Sequence, residues 1–350
     1  HNSFQPLAHL RHIQIAVALE NAVRRNPDLG LAHDDLANLY VEGNFLDAAL
    51  DHRREALRLM RQAGPVAGET AQAFASRLTQ REAGTRELEH RVGDLKNEFT
   101  LRAEKMGAEP YRKALLARRM GLARLALDDI LMPSQMVLLG GEGIRLQVEL
   151  QLQLGRIEPA REQLNSPDWQ ANKQNLGLVD LPFGTGSGPA LSYTLPAYDW
   201  LLLCQAAALG DYDQADAALS EIRTFLVHTV LQGNAAPAAL PPLRRRLSQM
   251  LAREVGLSYP GSPWLARLVV RDVRAELTDR LTKVSFVTAE QADLHVLAGM
   301  LSLERGAPRS AEQSFRTALE QSRLSSGTIP PSSGELLGEA YLRTLRAARR

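Results

Sequence analysis

Two helical stretches meet across a glycine turn four times along this chain, and that recurrence limits the fold more than any other feature. Segment 30–61 turns at Gly43-Asn44, and segments 141–165, 196–222 and 292–323 turn at Gly155-Arg156-Ile157, Gly210-Asp211-Tyr212 and Gly306-Ala307-Pro308. The shared unit is helix, G-x-Φ-x-x-A, helix, where Φ is a bulky residue or, in the last unit, Pro308. In 292–323 the small residues Ala298, Gly299, Ala311 and Ala318 stand where two helices must approach closely, with Phe315 as the large side chain between them. Self-similar helical pairs of this kind mark a stacked repeat array.

The intervening sequence is helical too. Leu7, Leu10, Ile13, Val17 and Leu19 step at helical intervals up to Asn26-Pro27-Asp28, a stop and restart. Leu36, Leu39 and Tyr40 make a second apolar face; Phe45, Ala49, Leu50, Ala56, Leu57 and Met60 make a third, ending at Gly64-Pro65. Only 176–183 (LGLVDLPF) reads as extended, so the expected fold class is all-α. With 350 residues, 45% hydrophobic and 23% charged, the chain is globular rather than disordered. No run approaches the roughly 18 apolar residues a membrane helix needs. The longest, Trp200–Leu209, is about half that, and no membrane insertion within the chain is expected.

Within 292–323, Gly299, Gly306, Ala311, Phe315, Ala318 and Leu319 are spaced as in a known repeat, and within 30–61 Leu36, Ala37 and Tyr40 fit the same pattern. These units resemble tetratricopeptide repeats. The stretch from Gly43 to Ala56 is one residue out of step, and Leu19, Ala22 and Pro27 resemble the closing helix of an earlier, truncated repeat. Segments 141–165 and 196–222 match mainly through their turns. Four units of roughly 34 residues cover about 40% of the chain.

The resemblance implies a right-handed α-solenoid of about 13–15 helices, in which the first helices of successive units line a concave groove. Carried onto this sequence, the groove candidates are Asp34, Asn38 and Val41, then Arg145, Glu149 and Leu152, then Trp200 with Cys204, and finally Val296, Met300 and Leu303. Family members that clamp a carboxylate use a Lys followed four residues later by Asn. Here Asp34 precedes Asn38 and would repel a carboxylate, which argues against recognition of a chain terminus at this unit. The implied function is a non-catalytic scaffold that binds a peptide or partner protein, and the chain is a candidate assembly subunit.

Four regions follow from this reading. Residues 1–65 carry N-terminal repeats, and 66–133 form a long helical insert and a connecting helix. Residues 134–232 carry middle repeats with an irregular loop at 165–195, and 233–350 carry C-terminal helical repeats. In the insert, Ala71, Phe74, Leu78, Leu88, Val92, Leu95 and Phe99 step by threes and fours like a coiled-coil seam. Gly84 and Gly93 weaken that helix by about 1 kcal/mol each, so it is expected to be long, broken or not, and to dock on the solenoid or project. Segments 233–242 and 325–334 are rich in Pro, Gly and Ser and read as linkers.

Motifs that carry chemistry are weak. Gly184–Gly188 lacks the Lys-Ser/Thr and the helix start of a phosphate loop. His9 and His12 lie one turn apart without a third ligand, and His33-Asp34-Asp35 opens a helix where acids suit the macrodipole. No G-x-S-x-G elbow exists, and Cys204, the only cysteine, sits in an apolar run as a small hydrophobe. No cofactor, no metal and no enzymatic activity are expected.

Net charge is +1, but 77–124 and 241–283 are each +5 and 125–240 is −8, a pattern read as solvated helix faces. Arg267, Arg271 and Arg274, beyond Arg244-Arg245-Arg246, share a helical face without interleaved aromatics. Nucleic-acid binding there is kept as a second alternative, and none is expected. The 36 Arg against 5 Lys point to a GC-rich bacterial genome. The start at His1, without methionine or an apolar leader, reads as a fragment or processed chain. The first alternative is therefore the soluble or extracytoplasmic part of a larger membrane-anchored envelope or polysaccharide-assembly protein. The compartment stays open, with the cytoplasm favoured over the periplasm.

Overall fold

The computed structural model describes residues 5–107, 109–131, 136–171, 173, 178–183, 191–231, 293–325 and 333–347. The described residues are helical apart from turns and one pair of short strands. They fall into two compact units, one within Ala8–Leu178 and Pro196–Asp211, the other within His1–Leu7, Val179–Leu195 and Tyr212–Arg350.

The first unit takes in α1 (Gln5–Arg25) from Ala8 onward, α2 (Gly30–Glu42) and α3 (Leu46–Ala63). In α2 the buried residues Ala32, His33, Leu36, Ala37 and Tyr40 form one stripe at helical spacing, and it packs against Leu46, Ala49, Leu50, Ala56 and Leu57 of α3. α4 (Ala71–Glu104) follows as one unbroken helix of 34 residues, with Thr70 Oγ1 accepting from the Ala73 N–H at 3.2 Å as its N-cap. Gly84 and Gly93 do not break it, and a Cβ at either would meet open space. The helix docks rather than projects along its second half. Leu88, Val92, Leu95 and Phe99 join the core built by α2, α3, α5 (Pro110–Arg119) and α6 (Met136–Gln153). A π-helical turn, Leu125–Ile130, lies between α5 and α6, and α7 (Ile157–Leu164), α8 (Pro167–Ala171) and α9 (Ala197–Leu209) complete the unit.

The turns explain the periodicity. Asn44, Gly121, Gly155, Gly210 and Gly306 have φ of 57°, 84°, 68°, 75° and 76°, the left-handed conformation that closes a helix. At each, the next N–H reaches back five residues: Phe45 to Tyr40 O (2.7 Å), Leu122 to Ala117 O (2.8 Å), Arg156 to Gln151 O (2.8 Å), Asp211 to Ala206 O (2.9 Å) and Ala307 to Ser302 O (2.8 Å). This is the Schellman closure, and five residues after each left-handed residue an alanine (Ala49, Ala126, Ala160, Ala215 or Ala311) is 0% exposed. The one-residue offset in 30–61 thereby has its cause. Asn44, not Gly43, takes the left-handed position, which Asn tolerates better than most non-glycine residues, and the register follows it.

The Gly121 turn lies in what the sequence suggested was only a connecting helix. It stands 34 residues before Gly155. Its second arm is the short π-helical turn rather than a regular helix, which conceals the unit from a periodicity count. The Leu46 N–H donates to Gly121 O at 2.7 Å, and Asp47 Oδ2 accepts from the Leu125 N–H at 3.0 Å, so the α2–α3 and α5 turns are joined directly.

The second unit contains α10 (Tyr212–Leu231), α11 (293–304), α12 (Pro308–Ser325) and α13 (Ser333–Ala347). Gly299 of α11 lies against Phe315 of α12 so closely that a Cβ would come within 2.4 Å of the ring. Gly338 of α13 likewise faces Val296, and Phe315 stacks on Tyr341 at 5.7 Å between centroids. The expected irregular loop at 165–195 is not irregular throughout: besides α8, strands β1 (Leu178–Phe183) and β2 (Leu191–Pro196) pair with each other. β1 falls where the sequence reads as extended. The Gly184–Gly188 run, the arginine face at 243–274 and the 233–242 linker lie outside the described residues.

Candidate functional site

The face of α2 opposite its buried stripe carries Leu31, Asp34, Asn38 and Val41, and α4 runs alongside it. Between them, floored by α3, lies a continuous cleft. One part, about 260 Å³, is mainly apolar: Leu31, Leu57, Leu59, Met60, Ala63 and Val66 line it, with Arg53, Arg77 and Arg81 at its edge. The adjoining part, about 670 Å³, shares those three arginines and adds Asn38, Val41, Gln80, Glu87, Leu88 and Arg91. Leu31 and Val66 are 77% and 62% exposed, which is unusual for large apolar side chains and makes the mouth of the cleft hydrophobic.

Its electrostatics centre on Asp34. Asp34 Oδ1 accepts from Arg53 Nη1 at 3.1 Å and also from Arg81, so one carboxylate serves two guanidiniums. Arg53 Nη2 donates to Asn38 Oδ1 at 2.7 Å, which spreads the cation along the α2 face. Arg77 makes a two-pronged contact with Glu69 (2.9 and 2.7 Å) and lies over the Phe74 ring. Arg91, exposed on α4, makes no salt bridge among the described residues. Arg53, Arg77, Arg81 and Arg91 thus stand against Asp34, Glu69 and Glu87, leaving guanidinium N–H groups available.

The structure places Asp34, Asn38 and Val41 together on this cleft. Of the other groove candidates, Arg145, Glu149, Leu152 and Trp200 do not line it, and Val296, Met300 and Leu303 belong to the second unit. Leu152 and Trp200 are 0% exposed, because 146–153 of α6 is buried throughout and α9 packs on that helix. The Trp200 indole N–H donates to His9 Nδ1 at 3.3 Å with the two rings stacked, so Trp200 is a core residue rather than an open anchor. Glu149 is buried and accepts from Arg118, and Arg145 is half-buried on the same helix. In α11, Val296 and Met300 are buried, Val296 facing Gly338 of α13, while Leu303 is half-buried. Sequence reasoning missed Arg77, Arg81 and Arg91, the α4 wall.

Cys204 is fully buried, and burial, with Glu149 nearby, pushes its thiol well above the usual range. Burial pushes His9 down to about 4, leaving a neutral ring held by Trp200 and Gln153. His12 Nε2 donates to Gln153 O at 3.0 Å. No cluster of three or more metal-ligating side chains occurs among the described residues. No helix there is long and apolar enough to cross a membrane. Comparison with protein-family profiles, curated proteins and solved structures finds no match to this chain.

Proposed function

We propose that this chain is a non-catalytic scaffold of tetratricopeptide-like helical repeats that holds a segment of a partner protein in the cleft between α2 and α4. The cleft carries the reading: an apolar pocket with exposed Leu31 and Val66 continues into a row of arginines over one shared carboxylate. Such a surface suits a segment with a bulky apolar anchor beside one or two acidic residues, the first excluded from water and the second taking free guanidinium donors. The five equivalent turns, and the 34-residue interval between Gly121 and Gly155, support the repeat class.

The test is an array of short peptides that vary apolar and acidic content, probed with the wild-type chain and with Leu31→Glu and Arg91→Glu. Both positions are exposed, so both variants keep the fold. Peptides joining an apolar anchor to acidic residues are expected to bind best, and each variant to weaken them roughly 5- to 30-fold, about 1–2 kcal/mol. Equal binding of basic peptides, or full binding by both variants, refutes the assignment.

A further inference from the structure

Behind the α2 face, a chain of polar side chains crosses from α1 to α3. The Tyr40 hydroxyl lies 3.0 Å from both Glu20 Oε1 and Leu154 O. Glu20 Oε1 is 3.2 Å from His52 Nε2, His52 Nδ1 is 3.0 Å from His33 Nδ1, and His33 Nε2 is 3.0 Å from Pro27 O. His33 is 6% exposed, and the His52 and Glu20 side chains 14% and 24%, so water is a poor substitute for these partners.

The chain can be counted in protons. The Pro27 carbonyl only accepts, so His33 Nε2 carries a hydrogen. The Glu20 carboxylate only accepts, so His52 Nε2 carries another. The two facing Nδ1 atoms need one hydrogen between them. Three N–H groups must therefore be shared by two rings that carry two when both are neutral and four when both are charged.

We propose that Glu20, His52 and His33 form a proton-dependent latch that fastens α1 to the α2–α3 pair and is closed only when the two imidazoles together carry one positive charge. With no charge, two lone pairs face each other across 3.0 Å; with two charges, two N–H donors do. Either state breaks the chain at its centre, so the junction is tightest in a band of pH and loosens on both sides of it. The charge belongs to the pair and not to either ring.

The surroundings suit a single charge. Glu20 faces the pair from α1. Burial opposes its ionisation, but hydrogen bonds from His52 and Tyr40 outweigh that and hold its carboxyl below the usual range. Glu55 of α3 also acts on both rings. Arg124 and Arg156 also act on Glu20, and each is paired with an aspartate, Asp51 and Asp128 respectively. His33 precedes Asp34, so the helix that the latch fastens is the one that presents the cleft. A pH dependence of docking would rest on the binding reading above; the nitrogen count does not.

Ring nitrogens of the intact chain can be counted by long-range ¹⁵N–¹H correlation at pH 6, each ring assigned through its own Cβ so that no variant has to fold. The expected result is three protonated nitrogens across His33 and His52. Two or four would overturn the latch. Amide exchange of α1, corrected for its intrinsic pH dependence, is the second readout. Protection should pass through a maximum with pH in the wild type. In Glu20→Gln, which keeps an acceptor for Tyr40 and His52 but loses the counter-charge, the alkaline limb should move to lower pH. A monotonic profile, or a Glu20→Gln profile superimposed on wild type, would refute it.

Discussion

Replacing Gly155 by alanine tests the way α1 is seated against the α6–α7 turn. Gly155 has φ +68°, and a Cβ there would lie 2.6 Å from both Ala16 O and Glu20 Cγ. Two costs are separable. The left-handed conformation costs an L-residue roughly 1–2 kcal/mol, reduced by about 0.4–1 kcal/mol because alanine restricts the unfolded chain. Intrusion on a backbone carbonyl cannot be relieved by rotating a side chain; α1 must shift, at about 1–3 kcal/mol for an overpacked site. Gly210 and Gly306 supply the control, since both have positive φ (75° and 76°) and open space around the missing Cβ. The expected loss is about 2–4 kcal/mol for Gly155→Ala and about 1 kcal/mol or less for Gly210→Ala and Gly306→Ala. Urea unfolding followed by far-ultraviolet circular dichroism gives these values, provided the slopes of the variants match the wild type. If Gly155→Ala costs no more than the two controls, α1 does not approach the turn as described, and the packing of the first unit must be redrawn.

How much of this could be read from the residues varies by element. Helices and turns were legible because they are local. A glycine five residues before an alanine between apolar stripes specifies a Schellman closure and a buried small residue, and Gly155, Gly210 and Gly306 behave so. The turn at Asn44 was legible only to within a residue, because glycine looks like the natural left-handed residue while Gly43 is needed for a different reason. A Cβ at Gly43 would lie 2.7 Å from Phe45 and 2.9 Å from His12. The candidate site was half legible. Asp34, Asn38 and Val41 share an outward face of α2 by helical spacing alone. Their opposite wall comes from Arg81, 47 positions away, through an ion pair that no periodicity encodes. The docking of α4 was undecidable for the same reason: a seam of threes and fours is identical whether its partner is this fold or another chain. Trp200, Val296 and Met300 lie on helices at the positions the sequence pattern assigns to a groove, but whether such a residue faces a groove or a neighbour depends on which helix covers it, and that is a tertiary fact.

Two further predictions probe the polar interior of the first unit. Arg118→Met should destabilise it by about 3–5 kcal/mol, because Glu149 is left buried without its cation. Arg118→Met/Glu149→Gln should recover much of that loss in urea melts, and a double variant no more stable than Arg118→Met contradicts the pairing. Acid should also weaken the unit through His9. Its folded-state value of about 4 lies below the ordinary 6.5, so as pH falls the unfolded chain takes up a proton before the folded chain does. The contribution is complete above pH 6.5 and is lost as pH falls through the window down to about 4, amounting to about 3 kcal/mol at 1.36 kcal/mol per unit. His9→Phe keeps a ring against Trp200 but cannot be protonated. It lowers stability at pH 7.5, because Gln153 and the Trp200 N–H lose a partner, yet it should show a smaller fall between pH 7.5 and 4.5 than the wild type, by about 2.5 kcal/mol, most of the full effect. Parallel losses in the two proteins would mean that His9 is protonated in the folded state and that the acid sensitivity of this unit arises elsewhere.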